Sequence, residues 1–372
     1  MTRAYLDHNA TAPLRPEART AMIAAFDCIG NASSVHSEGR AARALVEDAR
    51  ERVANVFGVR PSVVYFTSGG TESANWLLPA QEGRRLVLSA VEHPCVRSGH
   101  RFEPSAVSTV PVSAEGVLDL NAFDAALSPG AFAAIQAANN ETGVVQPLDE
   151  IAGITQANGA VLICDAVQAL GRVPASDLEK ADVLFFSAHK FGGPKGAGIV
   201  IVRNGAFPLQ PLLRGGGQER RQRSGTENVP AIAGLAAALE AAILAQDRFA
   251  REAETFREKL EAGIRAIAPD AVIFGEGAPR LPNTACFAIP DKSAETSLIA
   301  FDLEGVSVSS GSACSSGRVE RSHVLDAMGA APDLSACAIR VSTGWTTAQA
   351  DIERFLTVLA KICSGRQVRH AA

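Results

Sequence analysis

The 372-residue sequence lacks the features that mark several protein classes. Its seven cysteines, at positions 28, 95, 164, 286, 314, 337 and 363, are odd in number and contain no Cys-x-x-Cys pair. That disfavours a disulfide framework or a dedicated zinc site, so no metal is expected, and it fits a reducing cytoplasm. Long apolar runs are missing too. The nearest to a membrane span, Asn228 to Gln246, is alanine-rich and interrupted by Glu240, and reads as the buried helix of a soluble protein. The first residues carry Arg3 and Asp7 and no apolar stretch, so no secretory signal is expected. Neither sign of charge dominates: the net charge is −5 with 20% charged residues, which argues against nucleic-acid or membrane partners. A local basic stretch, Arg214 to Arg223, can still meet an anionic group, or be a solvated loop. Gly192 to Gly198 holds glycines and a lysine but precedes an apolar strand. It therefore matches neither the dinucleotide fingerprint nor the Gly-x-x-x-x-Gly-Lys-Ser/Thr phosphate loop.

What is present is an apolar chain, 47% hydrophobic, long enough to bury a large core. Asp182 to Val202 reads as a buried strand, Val183 to Phe186, then the turn Ser187-Ala188-His189-Lys190, then a glycine-rich bend and a second strand, Ile199 to Val202. Most lysines are solvated surface charges. Lys190 differs because it sits at a strand end beside Ser187 and His189, where an amine can form a Schiff base with a carbonyl compound. Upstream, the strand Val161 to Cys164 ends in Asp165. Pyridoxal phosphate chemistry needs both groups, a lysine to hold the aldehyde and an acid to keep the pyridine nitrogen protonated. A helix N-cap is the alternative reading of Asp165.

The rest of the first two thirds agrees with such a sheet. Ser37 to Phe57 has Leu45, Ala49, Val53 and Val56 at helical spacing and predicts an amphipathic helix. The strand Val63 to Thr67 runs into Ser68-Gly69-Gly70-Thr71-Glu72-Ser73, which is either a phosphate cradle at a helix start or a plain strand-to-helix turn. Strands at Arg85 to Ser89 and Phe132 to Gln136 lead into polar segments, and a helix from Pro147 to Gly159 precedes the Asp165 strand. Alternation over residues 60 to 205 predicts a mostly parallel sheet covered on both faces. Ligands then sit beyond the carboxyl ends of the strands, where Gly70, His93, Asn140, Asp165 and Lys190 fall. Val229 to Ala268 predicts one nearly continuous helix linking two domains. Beyond it come strands at Thr284 to Ile289, Val306 to Ser309 and Ala338 to Ser342, helices at Glu295 to Leu303 and Ser322 to Met328, and a last helix from a capping box Thr346-x-x-Gln349. They form a smaller α+β domain.

That smaller domain holds a distinctive thiol. Cys28, Cys164, Cys286, Cys337 and Cys363 read as small buried hydrophobes, and Cys95 stays open. Cys314, in Ser309-Ser-Gly-Ser-Ala-Cys-Ser-Ser-Gly317, has no apolar neighbour beyond Ala313 and reads as an exposed nucleophile on a loop tip.

Together, Asp7-x-Asn-Ala-Thr, Thr67-Ser-Gly-Gly-Thr-Glu-Ser, Glu92-His-Pro, Asn139-Asn-Glu-Thr-Gly, Asp165-Ala-Val-Gln, Ser187-Ala-His-Lys, Arg223-Ser-Gly-Thr-Glu-Asn and Ser309-Ser-Gly-Ser-Ala-Cys resemble the cysteine desulfurases. These belong to the class V aminotransferases of fold type I, and the resemblance is greatest to the nitrogen-fixation and housekeeping iron–sulfur assembly branch. It spans nearly the whole chain. It implies an α/β fold, with a mostly parallel seven-stranded sheet in a large domain over residues 13–252. The small domain would comprise 1–12 and 253–372. It further implies that Lys190 binds the pyridoxal 5'-phosphate aldehyde, Asp165 pairs with the ring nitrogen, His93 stacks on the ring, and Gln168 and Asn140 contact the ring oxygen. Gly70, Thr71, Ser187 and His189 would bind the phosphate, with Thr226 reaching in from the second subunit of a homodimer. Arg340 would clamp the carboxylate of L-cysteine, assisted by Asn140 and Asn9. Cys314 would take the substrate sulfur as a persulfide, release alanine, and pass the sulfur to an acceptor or iron–sulfur scaffold protein. Ala12, where a second threonine is common, and the variable His8 depart from the pattern. The alternatives are a selenocysteine lyase, another class V enzyme such as an aminotransferase or epimerase, or a non-catalytic scaffold.

Overall fold

The computed structural model describes residues 3–81, 83–205, 207–311 and 321–365. Its strands are β1 (Ala4–Tyr5), β2 (Val64–Thr67), β3 (Leu86–Ser89), β4 (Val107–Val110), β5 (Phe132–Gln136), β6 (Val161–Asp165), β7 (Val183–Ser187), β8 (Gly198–Val202), β9 (Val272–Ile273), β10 (Thr284–Ala288), β11 (Val306–Ser307) and β12 (Ala338–Ser342). The helices are α1 (Pro16–Phe26), α2 (Ser37–Val56), α3 (Gly70–Leu77), α4 (Pro94–Arg97), α5 (Leu120–Ala126), α6 (Leu148–Ala157), α7 (Val229–Leu244), α8 (Gln246–Ile267), α9 (Ala294–Leu303), α10 (His323–Ala327), α11 (Pro332–Ser335) and α12 (Gln349–Ser364).

Seven strands form the central sheet in the order β2-β8-β7-β6-β5-β3-β4. All run parallel except β8, which is antiparallel to both β2 and β7. Alternation along each strand divides the core between the two faces. Phe66, Val87, Ile135, Cys164, Leu184 and Ile199 pack with α1, α2, α5, α6 and α7. Leu88, Phe132, Ile163, Phe185 and Val200 pack on the other face with Trp76 and Leu77 of α3 and Val96 of α4. Burial on both faces explains why the strands are continuously apolar instead of alternating with polar residues. The edge strand β4 is absent from the sequence reading, because Val-Ser-Thr-Val is short and only partly buried.

A second core lies between the antiparallel sheet β12-β10-β9 and helices α8 and α12, with Leu260, Ile264, Phe287, Phe301, Ile339, Val341 and Phe355 at its centre. The continuous helix expected over Val229 to Ala268 is two helices bent by 68°. No glycine or proline breaks the chain there. The bend follows from the packing targets: α7 is buried almost all round against α1 and α2, while α8 turns away to lay one stripe on the small sheet. The last helix also starts later than its expected cap. Asp351 Oδ2 accepts from Ala348 N at 2.9 Å, so the capping acid lies at the third position of a helix beginning at Gln349. Among the described residues no single helix is long and apolar enough to cross a membrane.

The stretch Arg214 to Arg223 is largely exposed, yet it is docked to the large domain through one residue. Its Glu219 is buried and meets the guanidinium of Arg50 through both oxygens, at 2.8 and 2.9 Å, and also accepts from Phe66 N at 3.0 Å. Arg223 pairs with Glu72 at 2.7 Å, and Arg220 lies over the Tyr65 ring. Glu219, Arg220 and Arg221 all have positive φ, a strain that these contacts hold in place. Removing one partner of the buried pair strands a charge. Arg50→Ala is therefore expected to lower stability by about 3–5 kcal/mol in urea unfolding, and Arg50→Met with Glu219→Leu by clearly less.

Candidate active site

Because β2, β3, β5, β6 and β7 are parallel, their carboxyl ends share one edge of the sheet. A cavity of about 340 Å³ lies there. Gly70 and Thr71 enter it just beyond β2, His93 and Cys95 beyond β3, Gln136, Ala138 and Asn140 from the end of β5, Asp165, Val167 and Gln168 from β6, and Ser187, His189 and Lys190 from β7. The far wall is Asp7, Asn9, Ala10, Ser309, Ser310, Gly311 and Arg340.

Lys190 reaches across to this far wall. Its Nζ donates to Asn9 O at 2.6 Å and Ala10 O at 3.0 Å. Asp165 is not a helix cap, since no helix follows β6. Its Oδ1 accepts from Val167 N at 3.0 Å within a turn. Burial raises its pKa to about 6, with the Val167 N–H and nearby Lys190 opposing that shift. A cation held against this carboxyl recovers the lost solvation. His93 caps α4 with its own ring, Nδ1 accepting from Cys95 N at 3.1 Å, so the neutral ring carries its proton on Nε2. Burial, then the charges of Lys190 and His323, lower its pKa to about 4. His189 is likewise held near 4 by burial and the two neighbouring lysines, and its Nδ1 lies 3.2 Å from Thr11 Oγ1.

Backbone N–H groups are open at the start of α3. The first helical bond there runs from Ser73 N to Gly69 O, so the N–H groups of Gly70, Thr71 and Glu72 precede the ladder. A Cβ at Gly70 would stand 3.1 Å from Val167 Cγ2, so glycine opens this cradle beside Ser187. A neighbouring cleft shares Ala10, Gly70, Thr71, Ser187 and His189 with the main cavity, extending the cradle outward.

At the opposite end Arg340 is almost fully buried. Its Nη2 donates to Asp7 Oδ1 at 2.8 Å and its Nη1 to Asn140 O at 3.0 Å, while Nε has no partner among the described residues. Asn9 is in the wall, but its side-chain amide is spent on Asn140 O, Thr284 Oγ1 and Asn283 Nδ2, so it braces the site. Gln168 donates to Asn9 O at 3.0 Å and accepts from Arg172, which fixes its amide. His8 is neutral and packs on Gly344, where any Cβ would collide with its ring.

Eleven expected residues thus meet in one cavity: Asn9, Gly70, Thr71, His93, Asn140, Asp165, Gln168, Ser187, His189, Lys190 and Arg340. Thr226 is exposed, outside this cavity, on the loop before α7. Cys314 lies within 312–320, outside the described residues; Ser309 to Gly311, which precede it, are in the cavity wall. Cys164, Cys286 and Cys337 are buried as expected, whereas Cys28 and Cys363 are only half-buried. Asp7, Cys95 and Gln136 are wall residues to which the sequence reading assigned no role. For Gln136 the last position of a parallel strand was a usable signal; for Asp7 and Cys95 only the fold supplies one. Among the described residues no group of three or more His, Cys, Asp or Glu can hold a metal ion.

A fold with one lysine, one buried acid and an anion cradle at the edge of a mostly parallel sheet has known counterparts. The aminotransferase class-V family model matches residues 4–355, and the chain belongs to that family. Among its relatives, a cysteine desulfurase from Cereibacter sphaeroides is 44% identical, with 97% of this chain and 96% of the relative aligned. Another cysteine desulfurase, from Sinorhizobium fredii, is 39% identical, with 96% of each aligned. The solved structure of a NifS-like protein from Rickettsia africae superposes with a TM-score of 0.88 at 34% identity, covering 97% of this chain and 99% of that one.

The state of Asp165 has a measurable consequence. Its pKa in the folded, cofactor-free chain, about 6, exceeds the ordinary value of 3.8, so its contribution to stability is full below pH 4 and is lost as pH rises through 6. Asp165→Asn keeps the shape and the bond from Val167 without the titration. The cofactor-free variant is expected to be more stable than wild type at pH 8, by up to roughly 3 kcal/mol, with the gap closing towards pH 4 in denaturant titrations.

Proposed function

We propose that the chain is a pyridoxal phosphate-dependent cysteine desulfurase that supplies sulfur for iron–sulfur cluster assembly. The observation that carries this reading is the convergence of Lys190, Asp165, the α3 cradle and Arg340 on one cavity, in a chain whose full-length relatives are cysteine desulfurases. The residues fit the cofactor. Lys190 would hold its aldehyde, Asp165 its ring nitrogen, and the N–H groups of Gly70 and Thr71 with Ser187 and His189 its phosphate; His93 would stack on the ring, and Gln168 and Asn140 would contact the ring oxygen. Bound there, pyridoxal phosphate supplies an electron sink for the charge left at the substrate Cα.

The protein's own groups do the rest. Arg340 takes the carboxylate of L-cysteine, which requires its guanidinium to turn partly from Asp7 or to use the unpartnered Nε. Asn9 and Asn140 brace that end. Once released, the Lys190 amine removes the Cα proton. Asn9 O and Ala10 O accept from the amine and set its position at the cavity wall. His93, neutral at pH 7 with its proton on Nε2, can exchange protons in a water-poor cavity. The Cys314 thiolate then bonds to the substrate sulfur as the Cβ–S bond breaks, with the bonding pair going to Cβ. L-Cysteine and a thiol become L-alanine and a persulfide, balanced in atoms and electrons. The persulfide sulfur passes to an acceptor or scaffold protein.

The assembly in this reading is a homodimer. Thr226, exposed and outside its own cavity, would reach the phosphate of the second copy, and the exposed Ile23, Phe26, Ile29 and Val35 would supply apolar surface for the contact. The large domain would span 13–252, the small one 1–12 and 253–372. Free cysteines and a thiol nucleophile suit the cytoplasm.

The deciding test is peptide mass spectrometry after L-cysteine is added without reductant. One added sulfur on the Cys314 peptide with stoichiometric alanine is expected; keto-acid products and an unmodified Cys314 would sink the reading. Cys314→Ser should keep the cofactor absorbance and substrate Cα-proton exchange but lose at least about 10³-fold in alanine formation. For Arg340→Lys, where a point charge replaces a planar fork, KM for L-cysteine is expected to rise by about 10-fold or more in steady-state assays.

A further inference from the structure

Behind Lys190, which lines both, a second cavity of about 30 Å³ adjoins the main one. Its lining includes three cationic residues, Arg15, Arg172 and Lys190, together with His8, Thr343 and the Trp345 ring, and it contains no aspartate or glutamate. Arg172 is the centre of the anomaly. It is deeply buried, and its donors go only to neutral oxygens: Gln168 O at 3.2 Å, Gln168 Oε1, and Lys190 O at 3.4 Å. Burial, and then the charge of another cation, Arg340, lower its pKa to about 9, which leaves it charged at neutral pH. Arg15 is also drawn inward, with Nε on Phe191 O at 2.9 Å and its guanidinium over Trp345. Thr343 Oγ1 is buried with no partner among the described residues. His8 is neutral, its pKa lowered to about 3 by burial and by Arg172, and adds no positive charge of its own.

A buried, unpaired arginine is costly unless a counter-charge or a polar ligand meets it. We propose that this cavity binds one halide ion, chloride under physiological conditions, held by the Arg172 guanidinium and the Thr343 hydroxyl. Size decides the class of anion. A volume of about 30 Å³ has room for a monatomic ion or about two water-sized species and is tight for a tetrahedral oxyanion such as sulfate or phosphate. The ion has a positioning role. Arg172 ties Gln168, in the main cavity wall, to the backbone carbonyl of Lys190, and a halide offsets the charge that this tie leaves buried. The inference stands apart from the desulfurase reading, since it concerns anion binding and not turnover.

The test uses the cofactor-loaded full chain. Crystals soaked in sodium bromide are expected to show an anomalous peak beside Arg172 and Thr343. In solution, chloride should raise the unfolding temperature over gluconate at equal ionic strength, saturably and by about 2–4 °C. Arg172→Gln should abolish that difference, and Thr343→Val, which keeps the cavity shape, should raise the chloride concentration needed by several-fold. Thr343→Val carries the comparison alone if Arg172→Gln does not fold. No anomalous peak at this cavity, or a chloride effect unchanged in the folded variants, would overturn the proposal.

Discussion

The architecture depends on one constraint, the parallel pairing of β7, β6, β5 and β3. Parallel hydrogen bonding makes consecutive strands end on the same edge, so the residue after each strand faces a common space. The register aligns Gln136 of β5 with Asp165 of β6 and Asp165 with Phe185 of β7, which brings the acid near the turn that carries Lys190. The one antiparallel member, β8, sits between β7 and β2 and lets the chain turn back immediately after Lys190. Gly198 is required at that junction, because a Cβ there would meet Thr67 and the backbone of Gly69.

The site collects charge where solvent is scarce, and each group is held in a definite state by its neighbours. Burial raises the pKa of Asp165 to about 6 and lowers those of His93 and His189 to about 4, so both rings are neutral at pH 7. Glu92, sealed beneath the sheet edge, has its pKa raised well above the carboxylate range by burial; one oxygen accepts from Gln136 N and the other has no partner among the described residues. Arg340 is the exception, with a carboxylate partner in Asp7. The cavity wall therefore carries charge of both signs, Lys190 and Asp165 at the strand ends and the Arg340–Asp7 pair opposite them.

Much of this was legible in the residues. The strands bearing Thr67, Gln136, Asp165 and Ser187 stand out as short apolar runs closed by polar residues, and their alternation with helices implies a parallel sheet. Other features were not legible. The bend between α7 and α8 has no local signal, because Ala245 is as good a helix former as its neighbours and only the two separate packing surfaces force the turn. The loop Arg214 to Arg223 reads as solvated by composition, yet one buried glutamate, 169 residues from Arg50, converts it into a docked element. The capping acid of α12 lies beyond the Thr346 signal for a similar reason, since Thr347 accepts from Gly344 N and so belongs to the preceding turn.

By itself, then, the sequence determined the layered α/β class and the chemical inventory, a lysine, an acid, a glycine-rich anion turn, an arginine and a thiol, because these follow from local periodicity and side-chain chemistry. Only the tertiary structure decided which of them meet and in what protonation state. Asp7 on Arg340 and Asn9 spent on bracing are outcomes of contacts between segments far apart in the chain, and the burial that keeps His93 neutral and Arg172 on neutral oxygens has no signature in any single stretch.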